Sequence, residues 1–156
     1  MFVSSAPEAV WFLNTRVTIR VPHTAGEDTL SILEHHGPAR DSPPLHVHVN
    51  EDEVFHVLTG EFRFRVGDNE VVLTSGQWLL TPKGVPHSYL ITSPDGGRWL
   101  TVTSHTDFER FVRAIGRPAL GPDLPEPTGP PTPAQAAELA NMAGRFGIQL
   151  VGPPLH

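Results

Sequence analysis

His46 and His48 stand one residue apart, Glu53 follows five residues after the second, and His87 comes 34 residues later. Three imidazoles and a carboxylate can surround one divalent ion, each donor about 2.0–2.2 Å from it. A lone His-x-His pair in a polar loop is ordinarily just solvated. The added carboxylate and third histidine make a ligand set conceivable. Alternate residues of a strand point to one face, so His46 and His48 can bind from the same side. Glu53 is too far along to share that strand and is expected at the start of the next one. His87 arrives after a turn punctuated by Gly76, Pro82, Gly84 and Pro86. With no cysteine in the chain, any metal site has to use nitrogen and oxygen donors. Three or four such ligands leave positions open for water, oxygen or substrate.

Short strands must position these residues. Ala9–Phe12, Thr15–Val21, Thr29–His35, Leu45–His48, Val54–Leu58, Phe62–Val66, Glu70–Leu73, Trp78–Thr81, Ser88–Thr92 and Trp99–Thr103 are apolar or alternating runs separated by Gly, Pro, Asn and Asp. That spacing predicts an all-β antiparallel sandwich or barrel. Residues in phase with the ligands should line the metal face: Phe55 and Val57 with Glu53, Tyr89 and Ile91 with His87, then Phe62, Phe64 and Val66, with Trp78 and Leu80 adding to the wall. His56 should face away, and His35 and His36 read as a solvated pair. Thr106-Asp-Phe-Glu109 predicts a capped helix to Ile115 with Gly116 as its stop. Prolines then cluster between Arg117 and Pro133, reading as an extended connector. Thr132-Pro133-Ala-Gln135 predicts a second helix to about Phe146. The chain divides on this reading into a barrel over 1–105 and a helical segment over 106–156 that packs on it.

At 156 residues there is enough chain to bury roughly 68–70% of its unfolded surface. Seventeen acidic residues against 11 basic ones give a net charge of −6, which repels phosphate backbones and argues against nucleic acid as a partner. Apolar runs are too short to cross a bilayer. The first residues lack the basic and apolar regions of a signal peptide, so a cytoplasmic location is expected.

The spacing His46-x-His48, four residues, Glu53, six residues, Gly60 resembles the first motif of the cupin family. Gly76, five residues, Pro82-x-Gly84, two residues, His87 resembles the second. The resemblance spans roughly residues 40–92. Two positions depart from it: Arg40 stands where the first motif opens with glycine, and Ile91 where the second closes with asparagine. It implies a double-stranded β-helix, or jelly-roll barrel, with His46, His48, Glu53 and His87 as ligands to a single divalent transition metal (Fe, Ni, Co, Mn, Cu or Zn).

The Arg16–Val21 strand, the Asp41-Ser-Pro-Pro-Leu45 approach to the first motif and the tail from Phe146 to Pro154 are similar to small cupins of the bacterial flavonol (quercetin 2,3-) dioxygenase type. That resemblance implies oxidative ring cleavage of a flavonol or related hydroxy-ketone aromatic by O2, with Glu53 as both ligand and base. Phe55, Phe62, Phe64, Trp78, Tyr89 and Ile91 would then contact a flat hydrophobic substrate. Two other classes fit the same residues. One is a non-oxidative isomerase, cyclase or lyase acting on a natural product, and the other a non-catalytic small-molecule binder. A homodimer is implied by the resemblance, with outward Val54 and Leu58 helping to bury its interface.

Overall fold

Alternation of buried and outward side chains builds two facing antiparallel sheets in the computed structural model, which describes residues 1–156. The strands are β1 (Ala9–Phe12), β2 (Thr15–Val21), β3 (Ser31–Gly37), β4 (Leu45–His48), β5 (Glu53–Thr59), β6 (Glu61–Val66), β7 (Asn69–Thr74), β8 (Trp78–Thr81), β9 (His87–Ile91), β10 (Gly97–Thr103), β11 (Arg117–Pro118) and β12 (Ile148–Gly152). One sheet runs β11-β1-β2-β3-β10-β5-β8 and the other β12-β4-β9-β6-β7. This agrees with the antiparallel sandwich or barrel that the strand pattern predicts and with the jelly roll that the cupin resemblance implies. Two helices, α1 (Asp107–Ile115) and α2 (Pro133–Gly144), follow the barrel strands. Neither is long and apolar enough to cross a membrane.

Register explains which residues face in. On β5, Glu53, Phe55 and Val57 are buried while Val54, His56 and Leu58 point outward. β8 pairs Thr81 with Glu53 and Leu79 with Phe55, so Thr81 and Leu79 share the inner face. Trp78 lies opposite His56 and Leu80 opposite Val54, which puts both on the outside. Trp78 is 60% exposed and stacks on the His56 ring at 3.7 Å, so the expectation that it lines the metal face is corrected. Turn chemistry fixes the reversal between β5 and β6. Gly60 sits at φ +92°, and a Cβ there would come within 2.7 Å of the Gly96 carbonyl oxygen.

The segment after the barrel strands differs from expectation in two ways and agrees in a third. Thr106 is the residue before α1, but its side chain makes no cap; Glu109 instead turns to the His23 amide (2.7 Å) and to Arg113. The Thr132–Gln135 box does form, since both partners lie within one turn. Beyond α2, Ile148–Gly152 is a strand that pairs with β4 and extends the five-stranded sheet. Two apolar clusters result. Phe55, Val57, Phe62, Phe64, Leu73, Tyr89, Ile91 and Trp99 fill the barrel. Val10, Phe12, Val17, Ile19, Leu33, Phe111, Val112, Ala143 and Ile148 join the first strands to the last segment.

Candidate metal centre

β4 and β9 are neighbours, and His46 lies directly opposite His87 in their register. His48 follows on the same face of β4, while Glu53 opens β5 in the facing sheet. The four side chains therefore converge from both sheets, each offering one donor atom within 4.8 Å of the others. Atoms each about 2.1 Å from one ion stand roughly 3–4 Å apart, so the cluster needs little contraction to hold a metal.

Ring orientation supports that use. His46 Nδ1 donates to the Pro44 carbonyl at 2.7 Å, His87 Nδ1 to the Val85 carbonyl at 3.2 Å and His48 Nδ1 to Glu51 Oε1 at 3.1 Å. Each of these bonds leaves Nε2 as the inward nitrogen. His48 Nε2 is buried without a hydrogen-bond partner, 3.3 Å from Glu53 Oε2. His87 Nε2 lies 3.1 Å from the same oxygen. A buried, unpartnered nitrogen beside a shared carboxylate oxygen fits a cation-binding donor set.

Electrostatics hold His46 and Glu53 in the forms that can ligate and shift His48 toward its protonated form. Burial, reinforced by His87 and His48, lowers His46 to about 3, so it is neutral at physiological pH. Burial would raise Glu53, but His48, His87 and His46 outweigh it and bring the carboxyl down to about 2. For His48 burial is likewise outweighed, by Glu53 and Glu51, and its pKa is raised.

The cluster opens into a cavity of about 550 Å³, within the range of roughly 300–1,000 Å³ common to small-molecule sites. Of the residues expected to contact substrate, Phe55 and Tyr89 line it. Phe62, Phe64 and Ile91 are wholly buried in the barrel cluster instead and do not reach the cavity wall. Ile91 lies four residues beyond His87, about 13 Å along an extended strand, so sharing a face does not bring it to the cluster.

Other wall residues escaped the sequence reading. His35, expected in solvent, is 3% exposed, hydrogen-bonded to Thr101 at 2.9 Å and stacked on Trp99 at 4.8 Å. Burial lowers its pKa to about 4, with Glu53 opposing. The alternating 29–35 run marks a strand, but nothing local shows that its His35 end is covered. Phe108 of α1 and Leu139 and Met142 of α2 close the far side. Asp41 supplies an acid at the wall, raised by burial against contacts from Asn14 and Tyr89.

The two departures from the cupin motifs meet one another. Arg40 N–H donates to the Ile91 carbonyl (2.9 Å) and Ile91 N–H to the Asp41 carbonyl (3.1 Å). Arg40 keeps φ +66°, a conformation that favours the glycine it replaces. The loop shape is thus retained, and this backbone bridge places Asp41 at the cavity.

Comparison with known proteins agrees with this geometry. Residues 33–103 match the family model described as "Cupin domain". Quercetin 2,3-dioxygenase of Bacillus subtilis (strain 168) is 31% identical over 91 residues, covering 58% of this chain and 27% of that protein. The chain thus matches only about a quarter of that relative's length. A predicted oxalate decarboxylase from Thermotoga maritima superposes with a TM-score of 0.56 at 24% identity, over 67% of this chain and 99% of that one. The polyketide cyclase RemF from Streptomyces resistomycificus gives 0.54 at 19% identity, over 66% and 77%. At these identities the two structures speak to the fold alone.

Proposed function

Because the chain belongs to the cupin superfamily, we propose that it is a metal-dependent dioxygenase cleaving a flavonol or a related hydroxy-ketone aromatic. The observation that carries this reading is a cavity whose wall includes Phe12, Phe55, Tyr89, Trp99, Phe108 and Phe111 together with His46, His48 and Glu53 of the four-residue cluster. A divalent transition metal (Fe, Ni, Co, Mn, Cu or Zn) held by these four residues would supply Lewis acidity and, where redox-active, a route for electrons to O2.

The chain's own groups then have separate tasks. Glu53 lies in the cavity wall within the four-residue cluster, where its carboxylate would accept the proton of a substrate hydroxyl. His46, held neutral by burial, keeps its nitrogen free to ligate rather than to carry a proton. Phe55, Phe108 and Tyr89 give the flat ring an apolar slot that excludes water. Asp41 and the Tyr89 hydroxyl offer a polar contact in that slot for a second hydroxyl of the substrate.

The partners proposed are therefore a small aromatic substrate and O2. A second copy of the chain is proposed to cover the outer sheet face, where Trp78 and Leu80 are exposed beside Val54 and Leu58. Leu80→Glu should shift the sedimenting species from dimer to monomer, and a wild-type monomer would remove this part of the proposal.

Oxygen uptake on quercetin by protein reconstituted separately with Fe, Ni, Co and Mn tests the activity. Uptake abolished in both His48→Ala and Glu53→Gln is expected. Absence of uptake with every metal, given confirmed loading, rejects the flavonol reading and directs attention to oxygen-independent chemistry in the same cavity.

A further inference from the structure

Glu51 lies in the short loop between β4 and β5 and takes no place among the four converging donors. Its side chain is nonetheless fully buried. Oε1 accepts two bonds, from His48 Nδ1–H at 3.1 Å and from the Phe108 amide at 2.8 Å. Oε2 is buried with no partner. Burying a carboxylate is costly unless specific contacts offset it. A solvent-facing loop offers cheaper conformations, so the fold is holding this group in place.

The Phe108 amide belongs to the first turn of α1, where backbone N–H groups lack partners within the helix. Thr106 does not cap it, so Glu51 supplies from another part of the chain the acceptor that the local sequence leaves unused. The same oxygen fixes the ring plane of His48 and selects the tautomer whose Nε2 faces the cluster. Phe108 in turn packs its ring against His48, with centroids 5.6 Å apart, and forms part of the cavity wall.

We propose that Glu51 is the positioning residue of the metal centre, orienting His48 while pinning α1, and with it the Phe108 wall of the cavity. This rests on the reading that His46, His48, Glu53 and His87 hold a metal. A carboxylate on the outer nitrogen of a ligating histidine locks the ring and strengthens the inner nitrogen as a donor. Loss of such partners weakens metal binding by about 10–100-fold. A group that served only as a helix cap would leave metal affinity alone and lower stability instead.

Cobalt(II) titration of the apo protein separates these roles, read by calorimetry and by the visible absorption of the bound ion. Glu51→Gln keeps the shape and an acceptor oxygen but removes the charge. It should bind cobalt about tenfold more weakly, with a shifted absorption spectrum and an apo melting temperature close to wild type. Glu51→Ala should approach a hundredfold loss and also melt earlier. Wild-type affinity and spectrum in a folded Glu51→Gln protein would reduce Glu51 to a helix cap and overturn the inference. Wild-type protein that takes up no cobalt would overturn the four-ligand reading itself, and the inference with it.

Discussion

The two apolar clusters that meet at the cavity come from different parts of the chain. The barrel cluster is drawn entirely from residues 55–99, a stretch that begins just after Glu53 and contains His87, two of the four candidate ligands. The second cluster joins residues 10–33 to residues 111–148. Phe55, Tyr89 and Trp99 of the first and Phe12, Phe111 and Ile148 of the second all touch the cavity. A barrel with the metal motifs is therefore half of the site. The chain's two ends build the other half, and they decide what can enter.

The sharpest way to break this comparison is to remove a candidate ligand. His87→Ala should abolish stoichiometric metal binding and all metal-dependent turnover while leaving the second cluster intact. Metal analysis of the purified variant beside its thermal unfolding curve checks both halves of that statement. Retained metal at wild-type stoichiometry would take His87 out of the ligand set. The converse change is Phe111→Ala, which opens the second cluster and should cost about 3–5 kcal/mol of stability. Denaturant unfolding measures it, and a loss under 1 kcal/mol would mean that the C-terminal segment is a loose cover.

How much of this was legible in the sequence follows the same division. His46, His48, Glu53 and His87 were conceivable as a set from residue type and strand alternation, the resemblance to the cupin motifs singled them out, and the fold adds their convergence. The Thr132 box was legible because both partners lie within one turn. The Thr106 box was not, because Glu51, 57 residues from the amide it caps, and the distant His23 amide compete for its bonds. β12 is a strand through its pairing with β4, which nothing in Ile148–Gly152 alone announces. Phase told which face Phe62, Phe64 and Ile91 occupy but not how deep along the barrel the cavity stops.

His35 sits where the two clusters meet and gives a titration test. Folded, it is held neutral down to about pH 4, while the unfolded chain takes up its proton near 6.5. The unfolded state binds the extra proton below 6.5, so stability is full above that pH and falls as pH drops toward 4. The shift corresponds to about 3 kcal/mol. His46 adds a fall through an overlapping window, so the comparison must be between proteins. His35→Gln in the apo state should show a correspondingly shallower loss between pH 7 and pH 4 by denaturant unfolding. An unchanged slope would mean that His35 is hydrated when folded.

A smaller effect is expected at the rim. Asp41→Asn keeps the shape of the side chain while removing its charge, and it should raise KM by about tenfold with kcat nearly unchanged. Steady-state kinetics on the substrate that passes the oxygen-uptake test decide it. A fall in kcat at constant KM would move Asp41 from substrate recognition to chemistry.

The least effect should come from the largest exposed aromatic. Trp78 belongs to the same β-strand set as the barrel cluster, and by composition it would suit a flat substrate. Its pairing opposite His56 places it on the outer face, where its ring stacks on that histidine and stays 60% exposed. Removing it takes away surface contact and leaves the cavity wall unchanged, since Leu79 and Thr81 are the β8 residues that face in. Trp78→Ala should therefore keep metal affinity and KM within twofold of wild type, and monomer stability within about 0.5 kcal/mol. Phe55→Ala, one strand away on the inner face, should change KM and stability together. Equal KM effects from the two substitutions would show that strand phase does not decide which aromatic residues meet the substrate.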